Sequence, residues 1–233
     1  MRAATVWPAL APDGSACDEM AFVFDRSRRS RVLVLPPPFD EHNKLRRQLA
    51  LVMQRLDGAG IDAIMPDLPG LNESLFPADQ VTLASLRQAA ETARQHFNAN
   101  HCLSVRLAAN YAPTDLPGWR YAPATGASVL RTMMRAQSLS DKEAERERTL
   151  AELEVLGTTD GVVLGGWPIG AELFTALNSA ALPSAPRQMT VEQAMLTGPP
   201  PWRRAEPGED AAQADTLAAI IATGLADVGV PAA

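Results

Sequence analysis

Few residues in this chain could act as a nucleophile or a proton carrier, and their spacing restricts what they could do. The three histidines, His42, His96 and His101, all fall within the first 101 residues. His96 and His101 are five apart, off any common helical face, and no metal-ligand pattern accompanies them. Both read as solvated or structural. Cys17 and Cys102 form no C-x-x-C pair for zinc or redox work, and two cysteines make no disulfide framework. Cys102 lies in an apolar run and reads as a small core residue. Gly126-Ala127-Ser128 is half of a G-x-S-x-G pattern, but a serine without a positioned base is a weak nucleophile. Gly165-Gly166-Trp167-Pro168-Ile169-Gly170 lacks the Lys-Ser/Thr of a P-loop and the spacing of a dinucleotide fingerprint. No metal and no cofactor is expected. The densest polar set is Glu41, His42, Asn43, Lys44, Arg46 and Arg47, with Asp67, Glu73, Ser74 and Arg106 on later segments. Its chemistry is anion binding, with His42 the histidine placed to serve as a base.

The elements that must hold these residues are legible from hydrophobic period. A chain of 233 residues, 46% hydrophobic, is long enough to bury a core unaided. Its net charge of −6 disfavours a phosphate-backbone binder, and no run of about 18 apolar residues predicts a membrane span. The N-terminus has no apolar signal region, so a cytoplasmic protein is expected. Strands over 5–10 and 20–24 read as a hairpin around Pro12-Asp13-Gly14. Residues 31–35 form a buried strand, followed by a helix capped by Asp40 with Leu45, Leu49, Val52, Met53 and Leu56 inward. Residues 61–65 are a strand, Pro77 opens a second helix, and 102–107 and 119–122 are further strands. Two helices are expected over 126–156, the second starting at a Ser140–Glu143 capping box. Short strands over 161–164, 189–191 and 201–205, a helix over 171–180 and a last helix bearing Leu217, Ile220, Ile221 and Leu225 complete the order. The basic run from Arg26 to Arg31 precedes a strand without interleaved aromatics, and reads as a solvated loop.

Asp67-Leu68-Pro69-Gly70-Leu71-Asn72-Glu73-Ser74 resembles the D-x-x-G-x-G-x-S loop of α/β hydrolases, with Asn72 in place of the second glycine. More narrowly, the stretch Pro37-Pro38-Phe39-Asp40-Glu41-His42-Asn43-Lys44-Leu45-Arg46-Arg47 resembles the PPF-[A/D]-E-x-N-K-x-R-R segment of the second hydrolase type associated with the exosortase A system. Weaker similarity runs through 124–135, 163–177 and Gly198-Pro199-Pro200-Pro201-Trp202. The resemblance implies an α/β-hydrolase-like, doubly wound, mostly parallel sheet with an N-terminal β-hairpin. A helical cap is inserted at about 126–160 of one domain spanning 1–233. It also implies a setting in bacterial exopolysaccharide export.

An active member of that fold needs a nucleophile on a sharp strand-to-helix turn, a later acid, and a histidine after the last strand. Here Arg106 occupies the nucleophile position, without flanking glycines, and no histidine follows residue 101. The resembled family carries G-L-R-L-G at that point. Only about 11 residues separate Leu107 from Trp119, so the helix after the turn is expected to be shortened or lost. Ser104 points to the same side of its strand as Arg106. Residues after strand ends gather at the carboxyl edge of such a sheet. Phe39, Glu41, Asn43, Lys44, Arg46, Asp67 and Arg106 are therefore the expected ligand-binding set, with Arg106 paired to Glu41 or Asp67. Three readings stand: a degenerate site that binds an acyl or glycolipid-type ligand; an ester or thioester hydrolase using His42; and a non-enzymatic docking partner that presents the helices of 126–156 to another protein.

Overall fold

Arg-Val-Leu-Val-Leu is apolar on both sides, and it becomes β3 (Arg31–Leu35) at the middle of the sheet with Val32 to Leu35 fully buried. The computed structural model describes residues 2–146 and 148–228. Ahead of β3 lies the hairpin β1 (Arg2–Leu10) and β2 (Ala16–Phe24), longer at both strands than the alternation predicts. Behind it come α1 (Asp40–Gly58), β4 (Asp62–Pro66), α2 (Leu83–His96), β5 (His101–Val105) and β6 (Gly118–Tyr121). The chain then makes α3 (Gly126–Glu143), α4 (Leu150–Thr159), the small antiparallel pair β7 (Val162–Leu164) and β8 (Trp167–Ile169), and α5 (Ala171–Ser179). β9 (Gln188–Val191) and α6 (Ala211–Val228) close it.

The large sheet runs β1-β2-β4-β3-β5-β6-β9. β1, β2 and β4 pair antiparallel, and every pairing from β4 to β9 is parallel. One face is covered by α1 and α6, whose Leu45, Leu49, Val52, Met53, Leu56, Leu217 and Ile221 are buried against it. The other is covered by α2 and by the cap elements α3, α4 and α5. This is the α/β-hydrolase-like architecture, doubly wound with an antiparallel edge hairpin.

Several local expectations give way to stronger chemistry. Asp40 is the first helical residue of α1 rather than its cap; Phe39 holds the cap position at φ 64° and offers no side-chain bond. A 3-10 turn, Ala78–Gln80, follows Pro77, and α2 begins only at Leu83 under a capping box between Thr82 and Ser85. Ser140 does not start a helix: α3 runs through it, and the working box is Thr149 with Glu152 at the head of α4. The reason is Asp141, which is buried and accepts from Gln137 and twice from Arg148, so its side chain ties the connector instead of facing water. Residues 201–205 are not a strand but carry a 3-10 turn, Pro201–Arg203, because the run of prolines has no N–H for a ladder. The basic run near Arg26 is not simply solvated. Arg28 and Arg31 reach fully buried Asp62, which also takes the backbone N–H groups of Arg26 and Arg28.

The cap is held by close backbone approach. A Cβ on Gly126 would stand 2.2 Å from the Leu177 carbonyl oxygen of α5. Helix propensity alone favours alanine over glycine by up to about 1 kcal/mol. Gly126→Ala is nevertheless expected to lose about 1–3 kcal/mol through overpacking, read as a lower midpoint in urea denaturation. An unchanged or higher midpoint would show that α3 and α5 can move apart freely.

Candidate functional site

β5 ends in a sharp turn that holds a cation. Val105 is extended and Arg106 turns to φ 56°, a region that costs a non-glycine residue about 1–3 kcal/mol. The helix expected to be shortened or lost after this turn is reduced to a 3-10 turn over Arg106–Asn110. The Arg106 guanidinium grips Glu41: Nε donates to the two carboxylate oxygens at 3.1 and 3.3 Å, and Nη2 donates to Oε1 at 3.0 Å. Nη1 donates to the Ala122 carbonyl at 3.0 Å, and Cζ lies 4.3 Å from the centre of the Trp202 ring. Of the two partners the sequence leaves open for Arg106, Glu41 is the one engaged.

A second polar group lies around the loop after β4. His42 is 1% exposed, and its Nε2 faces Arg46 Nη1 at 3.4 Å. Arginine can only donate, so Nε2 accepts and the ring proton sits on Nδ1, which is buried without a partner among the described residues. Burial, with the Arg46 charge adding to it, holds the imidazole down to about 4. The ring is neutral at pH 7, a weak base whose accepting nitrogen is already covered. Arg46 also pairs with Glu73 at 2.7 Å. Burial pushes the Asp67 carboxyl up to about 6, against Arg46 and a hydrogen bond from Asn72, while Glu73 and Glu19 add to the rise. Asn72 sits at φ 59°, the left-handed position that the usual glycine would fill. Glu19 is raised by burial despite hydrogen bonds from Ser74 and Cys17.

The expected site residues therefore divide. Glu41 and Arg106 meet; His42, Arg46 and Asp67 form the second group. Phe39 is buried, its ring 6.1 Å from that of Trp167 on the cap hairpin. Lys44 turns to Asp40 at 2.7 Å, and Asn43 is exposed on α1. Ser104 is fully buried, its Oγ without a partner among the described residues, and Ser128 is exposed in the first turn of α3. Burial pushes the Cys102 thiol up to about 12. Among the described residues no cluster of three or more His, Cys, Asp or Glu could hold a metal. Trp202 and the Ala122 carbonyl were not anticipated as partners of Arg106. The signal for Trp202 was a lone aromatic after three prolines, beside Arg203 and Arg204. Cavities of about 460 Å³ along α4 and about 400 Å³ between α1 and Glu209 lie away from Arg106.

The buried carboxyl gives a pH dependence. Folded Asp67 takes up a proton near pH 6 and the unfolded residue only near 3.8, so the stability it contributes is complete below 3.8 and lost as pH rises through 6. His42 runs the other way, losing stability on acidification, but is common to both proteins in a comparison with Asp67→Asn. Urea denaturation at pH 7 and about pH 4.5 should show wild type gaining about 2 kcal/mol on the variant at the lower pH. A constant difference would mean that Asp67 titrates like an exposed aspartate.

No family model and no curated protein sequence matches the chain. Solved structures of similar fold include the α/β hydrolase GrgF from Penicillium sp. sh18, 14% identical over 78% of this chain and 74% of that one, with a TM-score of 0.47. The haloalkane dehalogenase DatA from Agrobacterium tumefaciens C58 is 10% identical over 97% of each chain, with a TM-score of 0.47. The bottromycin epimerase BotH, solved with bottromycin A2, is 13% identical over 97% of this chain and 99% of its own, with a TM-score of 0.49. Likeness at that level assigns no residue a role. The fold assignment stands on the sheet order and connections of the chain itself.

Proposed function

We propose that this chain is a non-hydrolytic α/β-hydrolase-fold protein of the exosortase A-associated type. Its carboxyl-edge site is kept for binding an acyl or glycolipid-type ligand, or for an accessory role in exopolysaccharide assembly. One observation carries the reading: the elbow position holds Arg106, locked to Glu41 and stacked on Trp202, where acyl transfer needs a free nucleophile. The absence of any histidine after residue 101 points the same way. Two free cysteines, one buried and one partly so, suit a reducing cytoplasm. The docking reading has its own support in the apolar cleft along α4 and in exposed Leu139, Leu150 and Val155 on the cap.

The test is turnover of p-nitrophenyl esters and acyl thioesters across chain lengths, with a serine-directed fluorophosphonate probe alongside. No turnover above buffer and no labelling are expected. Saturable turnover that disappears in His42→Ala would replace this reading with that of an unconventional hydrolase.

A further inference from the structure

Four segments meet at the Arg106 guanidinium, and three of them carry a non-glycine residue in the left-handed region. Arg106 itself is at φ 56°, Ala122, whose carbonyl accepts from it, at φ 44°, and Phe39, two residues before Glu41, at φ 64°. Such backbone persists only where its surroundings over-determine it, and it gathers at ligand clamps. The guanidinium is held twice without any help from Glu41, by the Ala122 carbonyl and by the face of Trp202. Of its five N–H protons, three reach Glu41 and Ala122; the other two, one on each Nη, have no acceptor among the described residues. The pair is not sealed in, since the two side chains keep 16% and 19% of their surface exposed.

We infer that Arg106 is a carboxylate-binding site and that Glu41 is its resident competitor, displaced when a monocarboxylate with an apolar body enters. A planar carboxylate matches the guanidinium fork in two parallel hydrogen bonds, as Glu41 now does. The apolar body is called for by Trp202, which packs on the guanidinium and meets Tyr121 edge-on at 5.7 Å. Because the cation stays seated when Glu41 leaves, ligand binding needs no rebuilding of the elbow. Glu41 swings towards water from the first turn of α1.

The inference deepens the binding reading above and rests on it, yet fails separately. Ester turnover would remove that reading and leave the titration to be judged alone; a flat titration would remove this inference only. Benzoate, phenyl phosphate and neutral benzamide share one ring and differ in head group. Calorimetric titration should show benzoate binding at least tenfold tighter to Glu41→Gln than to wild type, with benzamide inert and phenyl phosphate no tighter than benzoate. Glu41→Gln/Arg106→Gln, which leaves no lone charge behind, should lose the binding. In wild-type protein, the Arg106 Nε–H resonance should move on adding benzoate, a readout independent of how the variants fold. No tightening in Glu41→Gln, binding that survives the double variant, or an unmoved Nε–H signal would overturn the proposal. Tighter phenyl phosphate would overturn its assignment to carboxylates.

Discussion

An arginine in the tight turn after a central strand must have its charge answered where it stands, because the sheet and its covering helices leave it little water. That requirement organises the carboxyl edge of this protein. Glu41 answers it from the first turn of α1, where a carboxylate also suits the positive end of the helix. For Glu41 to arrive there, α1 has to start abruptly after β3, and Phe39 takes a left-handed backbone to do it. The Ala122 carbonyl turns inward from the end of β6, and the proline-rich loop before α6 lays Trp202 across the cation. Four separate segments are thus fixed by one guanidinium.

Strain at this edge is matched by an anchor at the other. Asp62 opens β4 at the amino end of the parallel strands, fully buried, and accepts from two backbone N–H groups and from the side chains of Arg28 and Arg31. Removing one partner from a buried ion network of this kind costs about 3–5 kcal/mol. Three left-handed residues at about 1–3 kcal/mol each persist because the contacts around them over-determine their backbone. The imidazole nearest the edge lies outside this strained cluster, buried and facing Arg46.

The layout of β3, α1, β5 and Arg106 was readable because each depends on a local pattern: a continuous apolar run, a 3.6-residue stripe, or a residue just past a strand. The pairing of Arg106 with Glu41 narrowed to two acids by the rule that a buried cation needs a carboxylate. What was hidden depends on distant partners. Ser140–Glu143 and Thr149–Glu152 are equally good capping patterns in isolation, and only the Arg148–Asp141 bond decides between them. Trp202 lies 96 residues after Arg106 in sequence, and no periodicity links them. The left-handed torsions of Phe39 and Ala122 belong to residue types that do not advertise them, unlike Asn72.

The cap also has a meaning in chain statistics. β6 and β9 are parallel neighbours, so the chain between them must cross the sheet, and here it spends about 66 residues doing so. A dozen would suffice for a parallel crossover. Because closure entropy grows only with the logarithm of length, the longer excursion costs about 1.5 kcal/mol more than the shortest one. The sheet is therefore nearly indifferent to how much polypeptide is looped out at this point. Length there is free to drift, and what disciplines it is contact, chiefly α3 lying backbone to backbone on α5 and Trp167 resting on Phe39.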